Sequence, residues 1–227
     1  MQTREVALIG RLIAGMTHET KNVLAIIKES SGLLQDILRL TKSGAAPKAE
    51  QIEKAAARIQ AQVARGNEQL SALNWLAHSM SDRSGSVGLN ELASAIADLM
   101  RRFARLQQVD LELQPADRDV TVVADVVHLV FVLVTCVEYY LKRASPKERI
   151  AIRASVSGKD AVLALVAGPA VQLRAAEKIE APAGALPPEL TDLDPILGSL
   201  GARIALADSA AGKELQLILP ATRSEDR

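Results

Sequence analysis

Several features that would assign a protein to a functional class are scarce or missing in this sequence. It has a single cysteine, Cys136, so no intramolecular disulfide can form, and no Cys/His spacing typical of a zinc site occurs. Aromatic residues make up only 2% of the chain, which leaves few rings for stacking on bases. Lys+Arg and Asp+Glu each total 27, so the basic surplus typical of nucleic-acid-binding proteins is also absent. These absences disfavour a zinc protein and a nucleic-acid-binding protein.

Long apolar runs are missing as well. The N-terminal stretch 1–15 is charged and then too briefly apolar for a signal peptide, and no run reaches the roughly 18 residues of a membrane helix. We therefore expect a cytoplasmic protein with no membrane, metal or cofactor of its own. With 48% hydrophobic residues, the chain of 227 residues is nevertheless able to bury sizeable aliphatic cores.

Apolar residues at alternating steps of four and three predict two long helices in the first third of the chain. The first seam comprises Ile9, Ile13, Met16, Thr20, Val23, Ile27, Ser30, Leu34 and Ile37. After a break at 43–47, the second comprises Ile52, Ala56, Ile59, Val63, Gly66, Leu70, Leu73, Ala77 and Met80. Each helix has more apolar surface than one partner helix can cover. We therefore expect two hairpins to form a four-helix bundle in a homodimer.

The pattern changes after a short polar stretch that contains glycines. Helices are predicted at 89–107, 125–143 and 190–200, and strands at 109–113, 120–124, 150–156, 161–167, 203–207 and 214–219. This order predicts an α+β fold, in which a mostly antiparallel sheet has helices on one face. The predicted domains are a dimerisation hairpin (1–82), a linker (83–88) and an α/β sandwich (89–222).

His18 is the most informative residue of the first helix. It lies opposite the apolar seam and is predicted to point into solvent, with Asn22 one turn later on the same face and Glu19 on the flank. A neutral imidazole is a good nucleophile, and a neighbouring carboxylate can hold its tautomer or take up a proton. The amide of Asn22 could bind a phosphoryl oxygen or position a water. A surface histidine is usually only a solvated side chain, so the spacing alone does not assign a function.

The segment from Leu12 to Leu24 resembles the H-box of the sensor histidine kinase family. In that family small residues precede His-Glu-x-x-Asn, and an apolar residue and leucine follow, on the helix that carries the phosphoacceptor. The resemblance implies that His18 is phosphorylated and that Glu19 and Asn22 assist. Val23 replaces the usual proline, which should leave the helix straighter. The order of elements after Gly88 resembles the ATP-binding domain of the same kinases, so the resemblance covers nearly the whole chain.

The positions that would bind a nucleotide in that family differ in this chain. Thr135 and Tyr139 align with two asparagines, one of which binds magnesium in the kinases. The run 166–171 lacks the family's Asp-x-Gly-x-Gly turn. Five of the nine prolines lie within 169–195, where a glycine-rich loop should bind phosphates. The resemblance therefore implies a degenerate ATPase domain without ATP binding or autophosphorylation.

A phosphoacceptor helix without a nucleotide site is similar to bacterial histidine phosphotransferases built on a kinase-like scaffold. These proteins relay phosphoryl groups to or from the aspartates of response-regulator receiver domains. The resemblance implies a receiver domain and an upstream hybrid histidine kinase as partners, with magnesium supplied by the receiver. Arg11, Lys21 and Lys28 either contact phosphate or acidic receiver residues, or merely solubilise the helix.

Other interpretations stay open at this point. A phosphatase would use Asn22 and a water on the aspartyl phosphate of a receiver, with His18 as a helper. A non-catalytic pseudokinase would bind a receiver or a kinase as a dimeric adaptor, and a working kinase would need an unusual nucleotide site. His78, His128 and Cys136 are interpreted as structural residues.

Overall fold

The computed structural model describes residues 2–43, 49–81, 84–116, 120–168, 186–209 and 212–221. Two long helices, α1 (Gln2–Lys42) and α2 (Ala49–Ser81), come first. The remaining elements are β1 (Ser84–Gly88), α3 (Leu89–Leu106), β2 (Asp110–Gln114), β3 (Thr121–Asp125), α4 (Val126–Leu141), β4 (Arg149–Ser157), β5 (Asp160–Gly168), a 3₁₀ helix (Pro188–Leu193), α5 (Asp194–Leu200), β6 (Arg203–Ser209) and β7 (Gly212–Pro220).

Helices α1 and α2 pack against each other as the predicted hairpin. The two helices lie close together at Gly66, where an added Cβ would lie 3.4 Å from Cγ1 of Val23. Along α1 the seam residues Met16, Val23, Ser30 and Ile37 are buried, as expected. Ile13, in contrast, is 43% exposed. The buried line shifts near the N-terminus because α1 packs there against the second half of the chain as well as against α2.

The strands form an α+β sandwich. Within the described residues, a five-stranded sheet has the order β2-β4-β5-β7-β6, in which the β2–β4 pair is parallel and the other pairs are antiparallel. The β4–β5 turn is as tight as predicted: Ser157 pairs with Asp160, and Gly158 takes a φ of +64°, which suits glycine at the first position of such a turn. The α+β class, with an N-terminal hairpin followed by a sandwich, is confirmed.

One face of this sheet carries the core of the sandwich. Strand residues such as Ile152, Leu163 and Leu217 are fully buried against Leu99 of α3 and Leu133 of α4. Helix α4 begins at a capping residue, since the carboxylate of Asp125 accepts hydrogen bonds from the next backbone amides. Apolar residues at alternate strand positions thus meet the stripes of two helices, as the sequence pattern predicts.

The segment predicted as a linker contains a strand. Residues 84–88 form β1, which pairs antiparallel with β3 in a separate two-stranded sheet, and Val87 is buried in the sandwich core. The backbone of this stretch is therefore hydrogen-bonded to the second half of the chain. The three domain ranges stay a prediction.

The N-terminal half of α1 is attached to the sandwich. Leu8, Leu12 and Met16 belong to the same core cluster as α3 and α4. Two ion pairs accompany this packing, Arg4 with Asp192 at 2.6 Å and Arg11 with Glu138 at 3.2 Å. In addition, Nε2 of His128 lies 3.5 Å from Oε1 of Glu5. The hairpin and the sandwich consequently share one hydrophobic core.

Three further features concern membrane helices, metal ligands and the single cysteine. In the described part of the chain, no helix is long and apolar enough to cross a membrane. The same residues contain no cluster of His, Cys, Asp and Glu side chains that could hold a metal ion. Cys136 is fully buried in α4, and this burial raises the pKa of its thiol to about 12. A thiol in such surroundings is chemically inert at neutral pH.

Candidate functional site

His18 and Asn22 lie together on the exposed face of α1. Both side chains are exposed, and Nδ2 of Asn22 is 3.4 Å from Nδ1 of His18. The four-residue spacing brings them onto one face because a helical turn takes 3.6 residues. An exposed imidazole with one nitrogen next to an amide leaves its other nitrogen, Nε2, available to a reacting group.

The side chain of Glu19 is buried, although it was expected on the exposed flank of α1 beside His18. It is 7% exposed, and its Oε1 is bound by the guanidinium groups of Arg65 on α2 and Arg105 on α3. The reason is geometric: Glu19 is about 100° around the helix from His18, at the edge where α3 packs on the hairpin. The carboxylate that was expected to assist His18 therefore joins three helices.

This junction should contribute to stability. Glu19→Gln keeps the shape of the side chain but leaves Arg65 and Arg105 without a counter-charge in a largely buried place. We expect the free energy of unfolding to fall by about 2 kcal/mol, at the low end for a broken buried pair because Arg105 is partly solvated. Urea unfolding with an unchanged m-value measures this loss.

The matched control is Glu50→Gln, which breaks the exposed pair between Glu50 and Lys54 on α2. Both partners are largely solvated, so the unfolding midpoint should change little. Equal shifts for Glu19→Gln and Glu50→Gln would show that the junction does not stabilise the fold.

A groove between α1 and α3 runs beside His18. It is lined by His18, Glu19, Asn22, Ala25, Ile26, Arg65, Arg102, Arg105 and Leu106. Among these described residues three arginines face a single carboxylate, in a protein whose overall formal charge is zero. The sequence pattern gave no reason to single out Arg65, Arg102 or Arg105. The packing of α2 on α1 brings Arg65 close to His18, and the packing of α3 on the hairpin brings Arg102 and Arg105 there.

A second carboxylate close to these arginines is Asp98 of α3, which lines a small pocket together with Arg65, Arg102 and Arg105. Burial raises the pKa of Asp98, although the adjacent Arg101 opposes that effect. Arg101 is bound by Asp98 and also lies 3.4 Å from Glu68 on α2. Arg101 is therefore occupied by acidic neighbours, in contrast to Arg102, the next residue along α3.

The basic residues expected to contact a partner are spread along α1. Arg11, two turns before His18, is exposed but forms the ion pair with Glu138 of α4. Lys21 and Lys28 are both exposed. These three side chains form no single cluster, and the densest positive charge next to His18 comes instead from the groove.

The positions aligned with the kinase asparagines lie on α4. The hydroxyl of Thr135 donates a hydrogen bond to the carbonyl of Phe131 at 2.7 Å, within its own helix. Tyr139 carries the guanidinium of Arg143 at 3.8 Å from its ring centre, and Arg143 also binds Glu189. The run 166–171 is described only to Gly168, the end of β5, and the region 169–185 lies outside the described residues.

The other histidines differ from His18 in their surroundings. His128 at the start of α4 lies 3.5 Å from Glu5, and its Nδ1 is 3.2 Å from the hydroxyl of Ser199. It therefore links α1, α4 and α5. His78 is exposed near the end of α2.

Comparison with known proteins gives similarities at the level of solved structures. No family model matches the chain, and no curated protein matches it. The catalytic domain of the histidine kinase ThkA is similar over 62% of this chain and 99% of its own length, with 19% identity and a TM-score of 0.49. The structure of ThkA in complex with the response regulator protein TrrA is similar over 100% of this chain and 66% of the ThkA chain, with 18% identity and a TM-score of 0.48.

A further similar structure is the Acinetobacter baumannii histidine kinase AdeS. The similarity extends over 91% of this chain and 98% of the AdeS chain, with 11% identity and a TM-score of 0.45. Each of these structures is of a histidine kinase.

Proposed function

We propose that this protein is a histidine phosphotransfer protein that relays phosphoryl groups to or from the aspartate of a response-regulator receiver domain, with His18 as the phosphoacceptor. The observation that carries the proposal is an exposed His18 with Asn22 one turn later, beside a groove with three arginines. A nucleophile open to a protein-sized partner, next to positive charge, is what transfer from an acyl phosphate requires.

Asn22 has a defined role in this proposal. The two ends of its amide exchange places by a half-turn, so the amide oxygen can occupy the position 3.4 Å from Nδ1 and accept a hydrogen bond from the Nδ1–H group. That arrangement fixes the tautomer that has a free lone pair on Nε2. Nε2 attacks phosphorus, the bond between phosphorus and the aspartyl oxygen breaks, and its electron pair returns to the carboxylate. The phosphoryl group then resides on Nε2 while Nδ1 keeps its proton.

Glu19 acts through its neighbours in this reaction. Since both of its ion pairs go to arginines, it holds Arg65 and Arg105 at the groove. We therefore propose it as a positioning residue. Arg11, Lys21 and Lys28 are proposed to contact the receiver around the reacting groups, and the magnesium ion used in the transfer belongs to the receiver.

We also propose that the protein neither binds ATP nor phosphorylates itself. Two observations support this. Thr135 uses its hydroxyl within α4, and Tyr139 is covered by Arg143, which in turn binds Glu189. A hydroxyl bonded to its own helix and a tyrosine covered by an ion-paired arginine are poor substitutes for two free amides. The phosphoryl group must then come from another phosphoprotein, such as a hybrid histidine kinase.

The proposed assembly is a homodimer formed through the hairpin. One side of the hairpin packs on the sandwich through Leu12, Met16 and Leu76. Another side exposes large apolar side chains that recur at whole numbers of turns: Val6, Ile13, Leu24 and Leu38 on α1, and Val63 and Leu70 on α2. In the proposed dimer, both sets face the second hairpin. A second hairpin is the occupant that this repeat fits, since it would complete a four-helix bundle.

The experiment that tests the function is transfer in the absence of ATP. The protein is mixed with phosphorylated receiver domains and magnesium, and the label is followed on both proteins. We expect acid-labile, alkali-stable label on this protein. Loss of label from the receiver as free phosphate, abolished by Asn22→Ala, would instead identify a phosphatase. No change across a full set of receivers would favour the adaptor.

A further inference from the structure

Helix α3 of the sandwich lies against the turn of α1 that carries His18. Three residues before His18, Gly15 lets α3 come close: an added Cβ would lie 3.1 Å from Cζ of Phe103 and 4.0 Å from Nη1 of Arg102. One residue after His18, Glu19 binds Arg105 of the same helix. The reacting turn of α1 is therefore held against α3 at both of its ends.

Arg102 is the cation of this contact that has no acidic partner in the described part of the chain. Glu19 is bound by Arg65 and Arg105, whereas Glu68 and Asp98 bind Arg101. Arg102 nevertheless lines the same groove as His18 and Asn22. As a whole residue, Arg102 is only partly exposed.

We infer that Arg102 binds the phosphoryl group while it passes between the receiver aspartate and His18, so that the sandwich completes the transfer site. The inference rests on the proposed phosphotransfer at His18. During transfer the three non-bridging oxygens of the phosphoryl group carry negative charge, and a planar guanidinium binds two such oxygens at once. Arg102 is thus a catalytic residue, and Arg105, fixed by Glu19, adds positive charge next to it.

This role explains why a sandwich that we propose to lack ATP binding is attached to the hairpin. Phosphoryl transfer needs positioning and charge stabilisation more than covalent help from the protein. His18 supplies the nucleophile from α1, and α3 supplies the charge from the sandwich. A hairpin alone would have the histidine without this arginine.

Arg102→Ala tests the inference, with Arg101→Ala as the matched control on the same helix. In single-turnover transfer from a phosphorylated receiver, we expect Arg102→Ala to lower the rate about 100-fold, as the loss of one charge-stabilising donor does. Arg102→Lys should recover part of that loss, because lysine restores the positive charge but not the planar group that binds two oxygens at once. Arg101→Ala should stay close to the wild type, since Arg101 is already occupied by Asp98 and Glu68.

A small phosphoryl donor separates chemistry from docking. Phosphoramidate transfers its phosphoryl group to imidazole and releases ammonia, and it offers no protein surface for Arg102 to recognise. A comparable loss with phosphoramidate and with the receiver supports binding of the phosphoryl group. A loss confined to the receiver would overturn the inference in favour of a docking role, as would a wild-type rate for Arg102→Ala with either donor. Absence of transfer to the wild type itself would overturn the proposed function together with this inference.

Discussion

Replacing His18 by alanine is expected to abolish the appearance of phosphoryl label on this protein, lowering transfer by more than about 1,000-fold. The side chain is exposed on α1 and takes no part in the core, so the variant should fold like the wild type. The loss is large because no other nucleophile can replace the missing ring nitrogen at this place. Label transfer from a phosphorylated receiver, with circular dichroism as the check on folding, measures it.

His78→Ala is the matched control for His18→Ala. His78 is likewise an exposed histidine on a long helix of the hairpin, but it lies near the end of α2 and away from the arginine-lined groove. Its replacement should leave labelling unchanged. Equal labelling of the wild type and His18→Ala would reject His18 as the phosphoacceptor, and loss of label in His78→Ala alone would move the site to α2.

Placing charges on the exposed apolar side of the hairpin is expected to dissociate the dimer. The double variant Leu24→Glu/Leu70→Glu alters positions that are 59% and 56% exposed in the single chain. In a symmetric four-helix bundle each substitution occurs twice, so four unpaired carboxylates would enter one apolar interface. Each desolvated charge costs several kcal/mol, and we expect the dissociation constant to rise by at least roughly 1,000-fold. Analytical ultracentrifugation over a range of protein concentrations measures this change.

Val156→Glu controls for the charge change alone. Val156 is also an exposed large aliphatic residue, at 51%, but it lies near the end of β4 in the sandwich. Its substitution should leave the dissociation constant where it is in the wild type. A dimer that persists in the double variant would mean that copies of the chain associate through another surface.

Much of the fold could be predicted from periodicity. The steps of four and three gave both helices of the hairpin, and alternation gave β2, β4 and β5 to within a residue or two. Strand β1 was not predicted, because Ser-Gly-Ser-Val-Gly has little strand preference of its own. Its conformation depends on hydrogen bonds to β3, a partner that lies more than thirty residues away in the sequence.

The candidate site could be predicted only in part. Spacing along one helix is enough to bring Asn22 next to His18, since the four-residue step is local. The environment of Glu19 is not local: its arginine partners are 46 and 86 residues away, on two other helices. Arg102 was missed for the same reason. A charged residue on an amphipathic helix gives no sign of which distant side chain its packing will bring close.

The attachment of α1 to the sandwich has a consequence for how the molecule opens. The first turns of α1 contribute Leu8 and Leu12 to the same core as α3 and α4, and ion pairs from Arg4 and Arg11 join α1 to the sandwich. We therefore expect the cooperative unit to run from the start of α1 into the sandwich. Amide hydrogens near Leu12 should be exposed only by global unfolding, whereas those near Leu38 open with local fraying of the hairpin tip. His18 follows Met16, which belongs to the same core, so we expect its backbone amide to exchange as slowly as those of the sandwich.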